Sequence, residues 1–199
     1  MPLHIQNIRK SYNGIPVLQD LTLDLEDGGI YCLMAPSGAG KTTLLRILMG
    51  LETADSGRIY YEDAAGREIP APAAAAVFQE DRLCPGLSAG KNIQLVHPGC
   101  TEEELRRELL ALLPADSLKK PVSEFSGGMR RRVSLLRAML SDGQLLLMDE
   151  PFNGLDAETK EQAIQYVLSR RRGRTLLFTT HLEEECEALQ AVRLSLMPH

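Results

Sequence analysis

Between Ala35 and Thr43 the chain reads Ala-Pro-Ser-Gly-Ala-Gly-Lys-Thr-Thr, directly after the apolar run Ile30-Tyr31-Cys32-Leu33-Met34 and directly before Leu44-Leu45-Arg46-Ile47-Leu48. A strand therefore runs into a glycine-bearing loop that opens a helix, and few folds accept that order. A helix N-terminus presents unpaired N–H groups and the positive end of its dipole, and the loop before it can wrap similar donors around an anion. The stretch predicts a phosphate cradle made of Ala35, Pro36, Ser37, Gly38, Ala39, Gly40, Lys41, Thr42 and Thr43. Gly38 and Gly40 let the backbone approach the phosphates, Lys41 reaches the β- and γ-phosphates, and the Thr42 hydroxyl suits Mg²⁺. The pattern G-x-x-x-x-G-K-S/T is met at every fixed position but the first, where Ala35 stands. Either Ala35 has a negative φ, which alanine tolerates, or the loop is slightly strained.

A chain of 199 residues, 44% hydrophobic and 25% charged, fits one or two globular domains with a sizeable core. The net charge of −5 gives no general attraction to nucleic acid. The start, Met1 to Asn7, lacks the basic flank and apolar run of a secretory signal, and no segment approaches the ~20 apolar residues that span a bilayer. A soluble intracellular protein is expected. Cys32, Cys84, Cys100 and Cys186 are scattered without a C-x-x-C pair, so reduced packing thiols are expected rather than a zinc site or disulfide framework.

Alternating apolar positions predict two antiparallel strands over Leu3 to Ile8 and Val17 to Leu25, with a turn at Asn13-Gly14. Gly57 to Tyr61 and Ala74 to Phe78 read as further strands, so that one sheet mixes hairpins with parallel strands. The pattern is helical from Ser88 to about Leu113, with Thr101 as an N-cap ahead of acidic residues. Gly127 to Leu140 reads as a helix, and Leu145 to Met148 as a buried central strand that ends in Asp149-Glu150. A helix over Asp156 to Arg171, a strand over Thr175 to Thr180, a helix over Leu182 to Leu189 and a strand over Val192 to Leu196 complete the chain. Alternating strands and helices predict an α/β fold with a mostly parallel sheet. The one short biased stretch is the Ala/Pro run from Pro70 to Ala76.

The chemistry sits at predicted strand ends. Asp149 is placed to hold Mg²⁺, and the adjacent Glu150 to orient and deprotonate an attacking water. Gln79 and His181 each follow a strand, where open α/β sheets bind ligands. Ser126-Gly127-Gly128 opens another helix and so offers a second anion site. Because Lys41 and Ser126 head different helices, a head-to-tail dimer sharing ATP is the natural way for both to cap one phosphate chain.

With these residues in order, the chain resembles the nucleotide-binding subunit of an ATP-binding cassette (ABC) transporter, almost end to end. Ala35 to Thr42 resembles the Walker A loop, Gln79 the Q-loop, Phe125 to Met129 the signature motif and Leu145 to Glu150 the Walker B strand with its catalytic glutamate. Asn153 to Asp156 resembles the D-loop, His181 the switch histidine, and Tyr12 the aromatic residue that stacks on adenine. Val77 to Leu83 and Pro151 to Asp156 look like importer ATPases of the nitrate, sulfonate and taurine group. Departures are Ala35 for Gly, Gly86 for Trp and Leu182 for the Asp that usually follows the histidine.

The resemblance implies a P-loop NTPase core with an N-terminal antiparallel β subdomain and a small helical insert at about 85–140, in a single domain over 1–199. It implies ATP and Mg²⁺ as cofactors, catalytic roles for Glu150, His181, Gln79 and Lys41, and metal ligation by Thr42, Gln79 and Asp149. Tyr12, the loop from Ala35 to Thr43, Ser126, Gly127, Gly128 and Asp156 are the implied nucleotide contacts. The implied partners are a second ABC subunit, membrane-spanning permease subunits met by Glu80 to Lys91, and a solute-binding protein, at the cytoplasmic face of the membrane. No appended regulatory domain is expected after the last strand. Other readings are a non-transport ABC ATPase acting on nucleic acid or ribosomes, suggested by Arg130 to Arg132 and Arg170 to Arg174, and a non-hydrolysing regulatory module. No nucleic acid is expected, since the first run flanks the signature helix and the second is a solvated helix end where cations favour the dipole.

Overall fold

The structure is a computed structural model and describes residues 1–70 and 73–196. Its strands are β1 (Leu3–Tyr12), β2 (Ile15–Leu25), β3 (Ile30–Leu33), β4 (Ser56–Glu62), β5 (Glu68–Ile69), β6 (Ala74–Val77), β7 (Leu145–Asp149), β8 (Thr175–Thr179) and β9 (Val192–Leu194). Its α-helices are α1 (Lys41–Leu48), α2 (Ala89–Gln94), α3 (Glu102–Leu112), α4 (Gly127–Leu140), α5 (Ala157–Arg170) and α6 (Glu183–Ala188). They fall into two compact units, one of residues 1–76, 143–149 and 173–199, the other of 77–142 and 150–172. Among the described residues no helix is long and apolar enough to cross a membrane.

The first unit is built on two sheets, the antiparallel β subdomain that the resemblance implies and a mostly parallel sheet, so the hairpin strands do not share a sheet with the parallel ones. An antiparallel sheet has the order β2-β1-β4-β5, and a second sheet the order β6-β7-β8-β3-β9, in which β7, β8, β3 and β9 run parallel. The hairpin turn at Asn13-Gly14 lies where predicted, both residues in the left-handed region that such tight turns need. Apolar alternation along β1 buries Leu3 and Ile5, and a register shift between Ile5 and Ile8 lets Ile8 join them. These three reach a core shared with Leu44, Leu45, Leu145, Leu147 and Leu177. Helix α1 ends at Gly50, whose φ of 69° allows Gly50 and Leu51 N–H to return to the Ile47 and Arg46 carbonyls.

The second unit is helical. The helix expected from Ser88 to Leu113 is two helices, because Pro98-Gly99 interrupts it and Thr101 starts α3 afresh, its hydroxyl accepting from Glu104 N–H at 3.2 Å. Helix α4 has the predicted bounds. The Ala/Pro run is described only in part, since Ala71 and Pro72 lie outside the described residues.

Cys32 on β3 and Cys186 on α6 are both buried and lie against one another, a pairing that their spacing in the sequence does not show, while Cys84 is exposed and Cys100 buried.

Candidate functional site

In the first unit, parallel pairing fixes the geometry. The register Leu33↔Thr179 and Asp149↔Thr179 brings the C-terminal ends of β3, β8 and β7 side by side. The loop from Ala35 to Gly40, the Asp149 carboxylate and the chain leading to His181 therefore leave one edge of the sheet together. This is the edge at which open parallel sheets bind ligands.

The loop itself is a left-handed turn into α1. Gly38 and Gly40 have φ of 82° and 92°, and a Cβ on Gly40 would stand 2.8 Å from Leu18 Cδ2 and 3.1 Å from the Val17 carbonyl oxygen. Glycine is thus required there on two counts. Ala35 is not among the residues of positive φ, so the departure from glycine is accommodated without strain. Ala39 N–H donates to the Pro36 carbonyl at 3.2 Å and closes the turn. Lys41 is 7% exposed, and its ammonium donates to the Ala35 carbonyl and, at 3.2 Å, to the Pro36 carbonyl.

Asp149 is buried at the end of β7, with one oxygen accepting from Thr42 Oγ1 at 2.8 Å and the other from Thr179 Oγ1 at 2.6 Å. Thr179 carries no motif and is not among the expected site residues; only its strand-mate position reveals it. The Asp149 and Thr42 pair is an oxygen-only donor set, the kind that hard divalent cations take. After β8, the Thr180 hydroxyl donates to Glu185 Oε2 at 2.5 Å and accepts from Leu182 N–H at 3.1 Å. That pair replaces the cap missing at Leu182 and fixes the turn bearing His181, which is exposed. Tyr12, 40% exposed at the β1 end of the hairpin, has the Lys10 ammonium 5.2 Å from its ring centroid.

The remaining expected residues belong to the second unit. Glu150 has a φ of 47°, a left-handed conformation that costs a side-chain-bearing residue about 1–3 kcal/mol and clusters at functional sites. Its Oε2 accepts from Asn153 Nδ2 at 3.1 Å. Ser126 caps α4, its hydroxyl accepting from Met129 N–H at 3.2 Å, so Gly127 and Gly128 form the open first turn. Asp156 caps α5, its two oxygens accepting from Thr159 N–H at 3.0 Å and Thr159 Oγ1 at 2.8 Å, and these bonds hold its carboxyl below the ordinary carboxylate range.

The first arginine run is spent on backbone carbonyls, while in the second Arg172 is exposed at the helix end as expected. Arg131, 9% exposed, donates to the Phe78 carbonyl at 2.6 Å and to the Gln79 carbonyl. Arg130 donates to the Phe125 carbonyl at 2.6 Å, Arg132 to the Leu112 carbonyl at 2.6 Å, and Arg137 to the Arg82 carbonyl at 2.7 Å. Arg170 pairs with the buried Glu108 at 2.9 Å. Guanidinium groups spent on backbone carbonyls and a buried carboxylate do not form a phosphate-binding stripe. Hydrogen bonds to charged donors contribute about 1.5–3 kcal/mol each, so Arg131→Met is expected to lower unfolding free energy by about 2–4 kcal/mol. Denaturant melts check this, and a loss under about 0.5 kcal/mol, the range of ordinary surface substitutions, would show that the clamp contributes little.

The family described as "ABC transporter" matches residues 18–153. The chain is 37% identical to the sulfate/thiosulfate import ATP-binding protein CysA of Mesorhizobium japonicum, over 93% of this chain and 58% of that protein. It is also 37% identical to CysA of Xanthomonas campestris, over 93% and 58%. The chain thus spans little more than half the length of these relatives. Among solved structures it resembles the dimeric bacterial ABC transporter cassette MJ0796, with a TM-score of 0.82 and 25% identity over 98% of this chain and 94% of that one. A second MJ0796 structure, described as a post-hydrolysis state bound to ADP and Pi, has a TM-score of 0.81 and 25% identity over 96% and 94%.

Proposed function

The chain belongs to the ABC transporter family, and from that premise we propose that it is the ATP-binding and ATP-hydrolysing subunit of an importer, working as a head-to-tail dimer beneath membrane-spanning permease subunits. The observation that carries this reading is the Asp149 carboxylate held between the Thr42 and Thr179 hydroxyls beside the Lys41 loop. It supplies what phosphoryl transfer needs, cationic and N–H donors for phosphate next to an oxygen site for a cation. The resemblance to importer subunits supports the direction of transport, and with it come a solute-binding protein and a position at the cytoplasmic face of the membrane.

Thr42 and Asp149 are assigned to Mg²⁺, with Gln79 as a further oxygen donor; the ion, when bound, neutralises charge on the phosphates. Lys41 and the N–H groups of the loop bind and orient the β- and γ-phosphates, and Tyr12 stacks on the base. Glu150 accepts the proton of the attacking water, and His181 contacts the γ-phosphate. Ser126, with Gly127 and Gly128, caps the nucleotide held by the other subunit, and Asp156 lies in the same seam.

Dimer formation should therefore require ATP and an unobstructed Ser126. Ser126→Arg keeps charge compatible with phosphate but fills the seam, so the ATP-dependent increase in mass by light scattering should vanish together with phosphate release. An unchanged ATP-dependent dimer would refute the composite site. Co-purification of a membrane-spanning subunit with the chain tests the transport role, and recovery of the chain on nucleic acid alone would refute it.

A further inference from the structure

The loop between α2 and α3 gathers three side chains of different chemistry. His97, Cys100 and Glu104 each offer one ligand atom, and these atoms lie within 4.8 Å of one another. This is not a patch of exposed acids: the set joins an imidazole, a buried thiol and a carboxylate. We propose that His97, Cys100 and Glu104 bind one zinc-class divalent cation, at a site made of other residues and other chemistry than the nucleotide loop.

The backbone already holds the three in place. His97 N–H donates to the Ile93 carbonyl at 3.0 Å, and Cys100 N–H to the His97 carbonyl at 3.2 Å. Thr101 then starts α3 and sets Glu104 one turn along. Two of the ligands are thus on one closed turn and the third on the first turn of a capped helix. The neighbouring helices approach closely, since a Cβ on Gly90 of α2 would stand 3.1 Å from Leu105 Cδ2 of α3.

Tetrahedral zinc with bonds of about 2.0–2.3 Å separates its ligand atoms by about 3.5 Å. The observed spread must close by roughly 1 Å. His97 and Glu104 are half-buried and longer than the buried Cys100, so the adjustment falls on those two side chains. A thiolate and an imidazole favour zinc, cobalt or nickel over Mg²⁺ and Ca²⁺, which take oxygen ligands. Three protein ligands leave the fourth position to water. On binding, the S–H bond of Cys100 breaks, sulfur bonds to the metal and the proton leaves to solvent, with no change of oxidation state. The bound ion would tie the turn between α2 and α3 to the first turn of α3 through side chains.

The test uses the full chain carrying Cys84→Ser, which removes the exposed thiol, stripped by chelator and held without nucleotide or Mg²⁺. Titrated Co²⁺ should produce a thiolate-to-cobalt charge-transfer band that saturates at one equivalent and is abolished by Zn²⁺. Adding Cys100→Ser should remove the band. His97→Gln, at a half-buried position, should keep the chain folded by circular dichroism while weakening Co²⁺ binding by about tenfold or more. Absence of the band in the Cys84→Ser chain, its survival in Cys100→Ser, or unchanged affinity in His97→Gln would each overturn the proposal.

Discussion

Glu150→Gln is expected to bind ATP with the affinity of the parent chain and to release phosphate about 10²–10⁴ times more slowly, the usual contribution of a positioned general base. The substitution keeps the shape of the side chain and an oxygen that can still accept from Asn153 Nδ2, which in the parent lies 3.1 Å from Glu150 Oε2. It removes the charge and the basicity. Because the backbone at Glu150 is left-handed, a shape-preserving change also avoids disturbing a position with little conformational tolerance. With turnover blocked, the ATP-bound dimer should accumulate, and light scattering should show it persisting for as long as ATP is present. Binding and phosphate release must be measured on the same preparation, since a misfolded variant would lose both. Near-parental phosphate release with intact binding would show that another group activates the water.

Lys41→Met is expected to reduce hydrolysis by about 10²–10³, the scale seen when one donor aimed at developing negative charge is removed. Methionine preserves the apolar stem in a setting where only 7% of the residue is exposed. The same change strips the Ala35 and Pro36 carbonyls of their ammonium partner, which adds a stability cost of about 1–3 kcal/mol for a buried acceptor left unpaired. A thermal melt without nucleotide reads the second effect, and phosphate release at saturating ATP reads the first. Hydrolysis within twofold of the parent would remove Lys41 from the reaction.

What the sequence makes legible is mostly local. Lys41, Thr42 and the glycines are contiguous, and the apolar run before Asp149 marks its own strand, so their placement follows from neighbours in the chain. Helix α4 is bounded by Ser126 at one end and Ser141 at the other, and its limits are readable for the same reason. Thr179 is hidden because its role depends on a strand register with Asp149, a partner 30 residues away. Arg131 is hidden for a second reason: a run of three arginines looks like surface charge until a strand end 52 residues away supplies its carbonyls. The α2–α3 break shows a conflict between two signals, the leucine spacing that continues a helix and the Pro98-Gly99-Cys100-Thr101 stretch that ends one and caps the next; the backbone chemistry prevails. The two-residue β5 is too short to show alternation. The Cys32–Cys186 pair, 154 residues apart, leaves no spacing to read.

The arginine clamps also have a mechanical meaning. Arg131 and Arg137 lie six residues apart on α4, about 9 Å along its axis, and grip the backbone of Phe78, Gln79, Asp81 and Arg82 at two separated points. A segment pinned twice to a rigid rod cannot pivot about either pin alone. Displacement of that segment is therefore transmitted along α4 as a rigid-body movement, arriving at Ser126 with little loss to local bending. A stiff lever of this kind makes the position of Ser126, the cap of α4, follow the position of the stretch just beyond Gln79.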